Sequence, residues 1–462
     1  MAVVRRSVTG DHSRDLRSAY QSASQFGKEA FTERPYIGGP AAPAQDETNT
    51  SRLWYHLNAG FLTAYEYTRW WKESLALRNT AILGDWSWLN KVRITGPDAS
   101  AFVNYATVTD LTGQDVGQVV FTPMVNEDGH VALEGLTFRR GEDEYLFSQS
   151  GAYSWFAHLK NHTGADVELE DVTADYTCYA VQGPRSTDVV EAVTGESFAD
   201  LGFSRFRETT VLDTETIVDR QGVTGERGYE FLMRTDTGKA AELWRAIRDV
   251  GREYGLREIG FRAQQIGHTE AGYATAIRDY LPARVAPTDA HRLAKHWISH
   301  EELEAIDWDL ADHFCSPAEL GWASRIDLDV DFHGRQALTT EAEAGGPDRR
   351  FVGLVWSTDD VVDLFAEQFR EGPSAPPPKM ASGQHRMRYS KVFAEGVQVG
   401  WASGVNFSPN LRRMNSNGRI HADYAEPGEQ VEVAWGGLTT DPVRRIRAEV
   451  ADQPMVGQRA PD

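Results

Sequence analysis

KVRITGPDASAFV (91–103) and CYAVQGPRSTDVV (178–190) share one grammar: an apolar, β-branched run, a Gly-Pro step, then apolar residues at helical spacing. Gly96 and Gly183 permit a tight strand exit, and Pro97 and Pro184 suit the first turn of a helix, where a missing N–H costs nothing. Two copies of one strand–helix unit predict two related α/β subdomains. Between them, GEDEYLFSQS (141–150) reads as a hairpin turn entering a strand, and SWFAHLKNHTG (154–164) as a helix closed by Gly164. Farther on, Leu243, Trp244, Ile247 and Val250 fall at helical spacing within 240–254, with Gly255 as the stop. This part of the chain is α+β.

Outward from that core the composition changes. Residues 1–50 are polar and end in PYIGGPAAPAQDETNT, which predicts an N-terminal extension packed loosely before the main fold. Residues 51–285 form the main α+β region, opening on an aromatic stretch that includes Trp54, Trp70, Trp71, Trp86 and Trp88, and 286–350 read as a connecting insertion and linker. Within 351–452, FVGLVWS, VQVGWASGV and EQVEVAWGG are short strand-like runs between Gly, Pro and Asn turns, so an all-β C-terminal domain is expected. EGPSAPPPKMASG (371–383) reads as a surface loop.

At 462 residues the chain exceeds what one hydrophobic core organises. A net charge of -21 argues against nucleic acid or an anionic membrane as partner, because both demand a basic surface. The two cysteines, Cys178 and Cys315, are too few for a disulfide framework, and Cys178 sits in an apolar run where an inert core thiol is expected. No window approaches the roughly 20 apolar residues of a membrane span, and the N-terminus lacks a hydrophobic signal core, so the expected location is cytoplasmic.

Seven phrases, in order, resemble the T-protein family of the glycine cleavage system and its demethylase relatives: ITGPDASAFV, VTDLTGQDVGQVVFTPMVNEDGHV, YAVQGPRS, GVTGERGYEFLM, ELGWASRIDLDVDFHGRQAL, SPNLRR and YAEPGEQVEV. The resemblance implies two interleaved ferredoxin-like subdomains and a C-terminal β-barrel around a folate channel, with tetrahydrofolate as cofactor. The length, residues 1–50 and the insertion near 285–315 look more like the longer tetrahydrofolate-dependent demethylases of methoxylated aromatic acids. That implies a cytoplasmic methyltransferase of aromatic-compound catabolism, moving a methyl group from a small donor to N5 of tetrahydrofolate. The alternatives are an aminomethyltransferase, a demethylase of a methylated amine, betaine or sulfonium compound, and a non-catalytic folate-binding protein.

Site residues follow from the same motifs. Glu230 in GERGYE matches the family's pterin-binding glutamate, since a carboxylate complements neighbouring N–H donors, and Tyr229 beside it either lines the channel or fills the core. Glu134 falls where T-proteins carry an aspartate near the reactive folate nitrogens, and Asp110 matches a family position but suits a turn cap. Trp88 stands where the family has histidine, so Trp86 and Trp88 are candidates to stack on an aromatic donor. Phe121 replaces a tyrosine of the folate channel. Gln264 replaces an arginine, leaving His268 as the candidate proton donor to a departing oxygen. Arg412 and Arg413 in SPNLRR are candidates for an anionic folate tail, or else exposed strand-end charges. No metal is expected: His296 and His300 have helical spacing but lack a third ligand in sequence.

Overall fold

The computed structural model describes residues 4–5, 37–56, 61–284, 309–381, 388–436 and 442–456. A four-stranded sheet, ordered β1-β3-β4-β2, forms at the N-terminal side from β1 (Val4–Arg5), β2 (Ile37–Gly38), β3 (Leu53–His56) and β4 (Phe61–Glu66). Helix α1 (Ala42–Thr48) follows β2, and Ala41, Ala42, Ala44 and Gln45 are wholly buried in the same core as Trp244 and Ile247. This end of the N-terminal extension is therefore core and not loose packing, because its alanines are small enough for close helix approach.

Helix α2 (Trp70–Asn79) leads to β5 (Ile82–Asp85), then β6 (Lys91–Thr95), α3 (Ala99–Ala106), β7 (Val119–Val125), β8 (Val131–Gly141), β9 (Glu144–Ser148), α4 (Ala152–Thr163) and β10 (Glu168–Asp171). The second half runs β11 (Tyr176–Gln182), α5 (Ser186–Thr194), β12 (Phe206–Val211), β13 (Thr214–Asp219), β14 (Gly228–Arg234), α6 (Ala240–Gly251), β15 (Arg257–Glu258) and α7 (Phe261–Ala271). The sheet orders are β10-β6-β9-β8-β7 and β12-β13-β14-β11-β5-β15. Strand β5 precedes the first sheet in sequence yet pairs with β11 in the second, which interleaves the halves.

The two quoted repeats occupy matching places, β6–α3 and β11–α5. Gly96 and Gly183 both adopt positive φ, 125° and 124°. A Cβ on either would come within 3 Å of a backbone carbonyl, Asp166 or Thr80, so each strand exit requires glycine. The prolines stand slightly earlier than expected: Ala99 N–H and Ser186 N–H each donate to the carbonyl of the glycine three residues back. Pro97 and Pro184 thus occupy the second position of a turn that winds into the helix, where their fixed φ serves equally well. Helix α4 ends at left-handed Gly164, and α6, extended by one 3-10 turn, ends at Gly255, as their spacing predicts.

After α8 (Arg335–Glu343) the chain closes a six-stranded antiparallel barrel from β16 (Arg349–Trp356), β17 (Ser390–Ala394), β18 (Val397–Ser408), β19 (Arg413–His421), β20 (Gln430–Gly436) and β21 (Val443–Ala451), with α9 (Thr358–Glu367) packed on it. Alternation points Val392, Val433 and Ile446 inward. The Pro-rich segment is partly structural, since Ala375 is buried and the Trp435 indole donates to the Pro376 carbonyl (2.6 Å). Helix α7 lies where sheets and barrel meet. Buried Glu270 accepts bonds from Arg78 (3.0 Å), Ser408 (2.5 Å) and Asn410 (3.0 Å), which fastens the barrel to the α+β body.

Candidate functional site

The two sheets, α7 and the segment Tyr273–Arg284 enclose a cavity of about 450 Å³. Each half sends one buried carboxylate to its wall, Glu134 from β8 and Glu230 from β14.

Glu134 is 2% exposed, and both its oxygens are held: Gln149 Nε2 donates to Oε2 (2.7 Å) and the Tyr280 hydroxyl to Oε1 (3.2 Å). Burial pushes its carboxyl up to about 7, against the lowering by these donors and by the Arg284 charge.

Glu230 is 4% exposed and, among the described residues, accepts only the Cys178 thiol (3.4 Å), a weak donor. Burial raises its pKa, against the Cys178 bond and the buried Lys91 ammonium. Across the β13–β14 ladder sits Asp219, fully buried, with no hydrogen-bond partner on either oxygen among the described residues. Burial first and the Glu230 charge second hold the Asp219 carboxyl well above its usual range. Lys91 donates to the Leu89 carbonyl (2.7 Å), and burial lowers its pKa.

Helix α7 places Gln264, Gln265 and His268 on the cavity wall. His268 Nδ1 lies 3.2 Å from the Thr275 hydroxyl, and its ring meets Tyr273 edge-on at 5.2 Å. Trp86, Trp88 and Phe121 complete the apolar lining, with Phe121 edge-on to Trp322 at 5.3 Å. Arg284 brings a guanidinium to the same wall, its Nη1 donating to the Ala132 carbonyl (3.2 Å). A Cβ at Gly151 (φ 81°) would stand 2.9 Å from that guanidinium, so glycine there makes its room.

Of the residues singled out in sequence, Glu134, Glu230, His268, Gln264, Phe121, Trp86 and Trp88 meet in this cavity. Tyr229 does not. Strand alternation sends it to the opposite face of β14 from Glu230, where it is fully buried and its hydroxyl lies 3.0 Å from that of Thr187. Arg412 is likewise not at the cavity: it is exposed at the β18–β19 turn with φ 54°, as Arg413 is exposed beside it. The same phrase acts instead through Ser408 and Asn410, which dock the barrel on Glu270. Trp70 and Trp71 pair edge-on at 5.7 Å away from the cavity wall. Asp110 is exposed and caps Thr112 (2.8 Å), the turn role its spacing suits. His296 and His300 lie outside the described residues.

Sequence reasoning missed Tyr273, Tyr280, Gln149 and Arg284. GYATAIRDYLPAR places two tyrosines and two arginines at and just after a helix-ending glycine, but only the return of this segment across β8 aims Tyr273, Tyr280 and Arg284 inward.

The GCVT N-terminal domain model matches residues 50–291, more than half of the chain. The chain belongs to the GCVT family. Among GCVT relatives, a sesamin methylene transferase of Sinomonas sp. is 30% identical over 84% of this chain and 89% of its own length. An aminomethyltransferase of Moorella thermoacetica is 28% identical over 82% and 88%. The glycine cleavage system aminomethyltransferase T of Bartonella henselae superposes with a TM-score of 0.69 at 20% identity, over 93% of this chain and all of that one. The GCVT fold is thus that of the T-protein, with a closed barrel at its C-terminal end. The chain is an enzyme of one-carbon transfer, and aminomethyltransferases of the GCVT family use tetrahydrofolate. No helix among the described residues is long and apolar enough to cross a membrane.

Proposed function

We propose that the chain transfers a methyl group from a methoxylated aromatic acid to N5 of tetrahydrofolate. One observation carries this reading: a single aromatic-walled cavity joins a buried carboxylate held by a donor on each oxygen, a second carboxylate with unused acceptor capacity, and one guanidinium. The second carboxylate suits the pterin, whose adjacent N–H donors would occupy the lone pairs that Glu230 does not spend on protein. Tetrahydrofolate, when bound, supplies the nucleophilic nitrogen that takes the one-carbon unit.

The chain's own residues supply the rest. Trp86, Trp88 and Phe121 shape a slot for a planar ring and exclude water, and Arg284 pairs with the ring's carboxylate. As the methyl C–O bond breaks, His268 delivers a proton to the departing oxygen, so that phenol leaves in place of phenolate. Glu134 takes up the proton released at the accepting nitrogen, and Gln149 and Tyr280 hold it in place. A GCVT relative named for moving methylene from sesamin supports a small organic donor.

Anaerobic incubation with tetrahydrofolate and a panel of methoxybenzoates, methylated amines, betaines and sulfonium compounds tests this, with the folate product identified by mass spectrometry. The expected result is 5-methyltetrahydrofolate and one demethylated aromatic acid. A methylene product, or turnover of a cationic donor only, would replace the reading with one of its alternatives. Tetrahydrofolate binding without turnover would leave a binding protein.

A further inference from the structure

A second cluster lies outside the cavity, where the β7–β8 turn, α4 and the loop before α8 converge. His158 and His162 stand one turn apart on α4. His333, from the loop, has a side chain only 3% exposed, and its Nε2 finds no hydrogen-bond partner among the described residues. That nitrogen stands 3.6 Å from Glu127 Oε1 of the β7–β8 turn. One ligand atom each from Glu127, His158 and His333 lie within 4.8 Å of one another. Ligand atoms around a tetrahedral zinc stand roughly 3.4 Å apart, given bonds of about 2.1 Å, so small rotations of the two exposed side chains suffice.

The rings pack against one another. Trp155 stacks on His158 (5.3 Å) and meets His333 edge-on (5.9 Å), while His162 meets His333 from another side (5.4 Å). The His333 backbone N–H is tied to the Tyr105 carbonyl (2.9 Å). A buried, unpartnered ring nitrogen facing a carboxylate, with a second histidine alongside, is the donor set of a borderline cation: two nitrogens and one oxygen.

We propose that Glu127, His158 and His333 bind one divalent transition-metal ion of the zinc class, which clamps the β7–β8 turn to α4 and to the loop before α8. The fourth position is taken by water or His162. The clamp sits at the turn that leads into β8, the strand that carries Glu134, and its role is structural. This inference does not depend on the proposed reaction.

The test uses the full chain, stripped with a chelator and titrated with zinc(II) by calorimetry, and with cobalt(II) as a visible-absorption probe. Expected are one tight equivalent, visible cobalt bands of a low-coordinate site, and a rise in Tm on zinc addition. Glu127→Ala and His158→Ala remove exposed side chains, so the fold should persist while zinc affinity falls on the order of tenfold or more. The double variant His296→Ala/His300→Ala should bind zinc like the parent. Absence of a stoichiometric site in the parent, or affinity that falls in the double variant and not in His158→Ala, overturns the proposal.

Discussion

The two halves of the α+β body each bury one carboxylate at the same cavity, yet they partner it oppositely. Glu134, on the first sheet, has a protein donor on each oxygen and sits beside Arg284. Glu230, on the second, has a thiol and a neighbouring carboxyl, Asp219. Equal burial therefore yields different chemistry. A carboxyl fixed by one protein donor on each oxygen keeps free lone pairs that can take a proton, whereas one left under-satisfied gains most when a ligand brings donors.

The comparison breaks most visibly at Glu134. Glu134→Gln keeps the shape and the bond from Tyr280 but cannot take a proton, so turnover should fall by about 10²- to 10⁴-fold, and the rate inflection near pH 7 should vanish, as steady-state profiles would reveal. Glu230→Ala removes charge-assisted acceptors worth roughly 1.5–3 kcal/mol, so tetrahydrofolate affinity should drop about 10- to 150-fold in equilibrium titration. Stability gives a third contrast. The Glu134 pKa rises on folding from 4.5 to about 7, so its neutral form costs nothing below pH 4.5, and ionisation penalises the fold as pH climbs through 7. Glu134→Gln should thus gain about 3 kcal/mol over the parent at pH 8 and nothing at pH 4, measured by denaturant unfolding.

Smaller effects sharpen the geometry. Tyr229→Phe loses only the contact with Thr187, so stability should fall by about 1 kcal/mol with tetrahydrofolate affinity unchanged. Arg412→Ala should alter neither affinity nor stability beyond about 0.5 kcal/mol. A large loss of affinity in either variant would return that residue to the site.

Much of the fold was legible because it rests on local rules. The repeated Gly-Pro step marks two strand exits, and period-2 alternation after residue 350 marks barrel strands. Cavity-lining positions on regular elements were legible too, since a strand or helix fixes the direction of Glu230 or His268. Tyr229 failed because adjacency in a strand means opposite faces, and a motif cannot say which neighbour faces the ligand. Arg412 failed because a turn residue's direction depends on long-range docking, here by Ser408 and Asn410 on Glu270. Arg284 and Tyr280 stayed hidden for the same reason: they act from an irregular segment placed only by tertiary contacts, such as the bond from Leu281 N–H to the His313 carbonyl (2.7 Å).

The division of labour between the carboxylates is tested most directly by measuring tetrahydrofolate affinity and single-turnover rate side by side in the parent, Glu134→Gln and Glu230→Gln. The account predicts that Glu134→Gln binds like the parent and fails to transfer, whereas Glu230→Gln binds weakly and recovers much of its rate at saturating tetrahydrofolate. Equal loss of affinity in both variants, or parental turnover in Glu134→Gln, would contradict it.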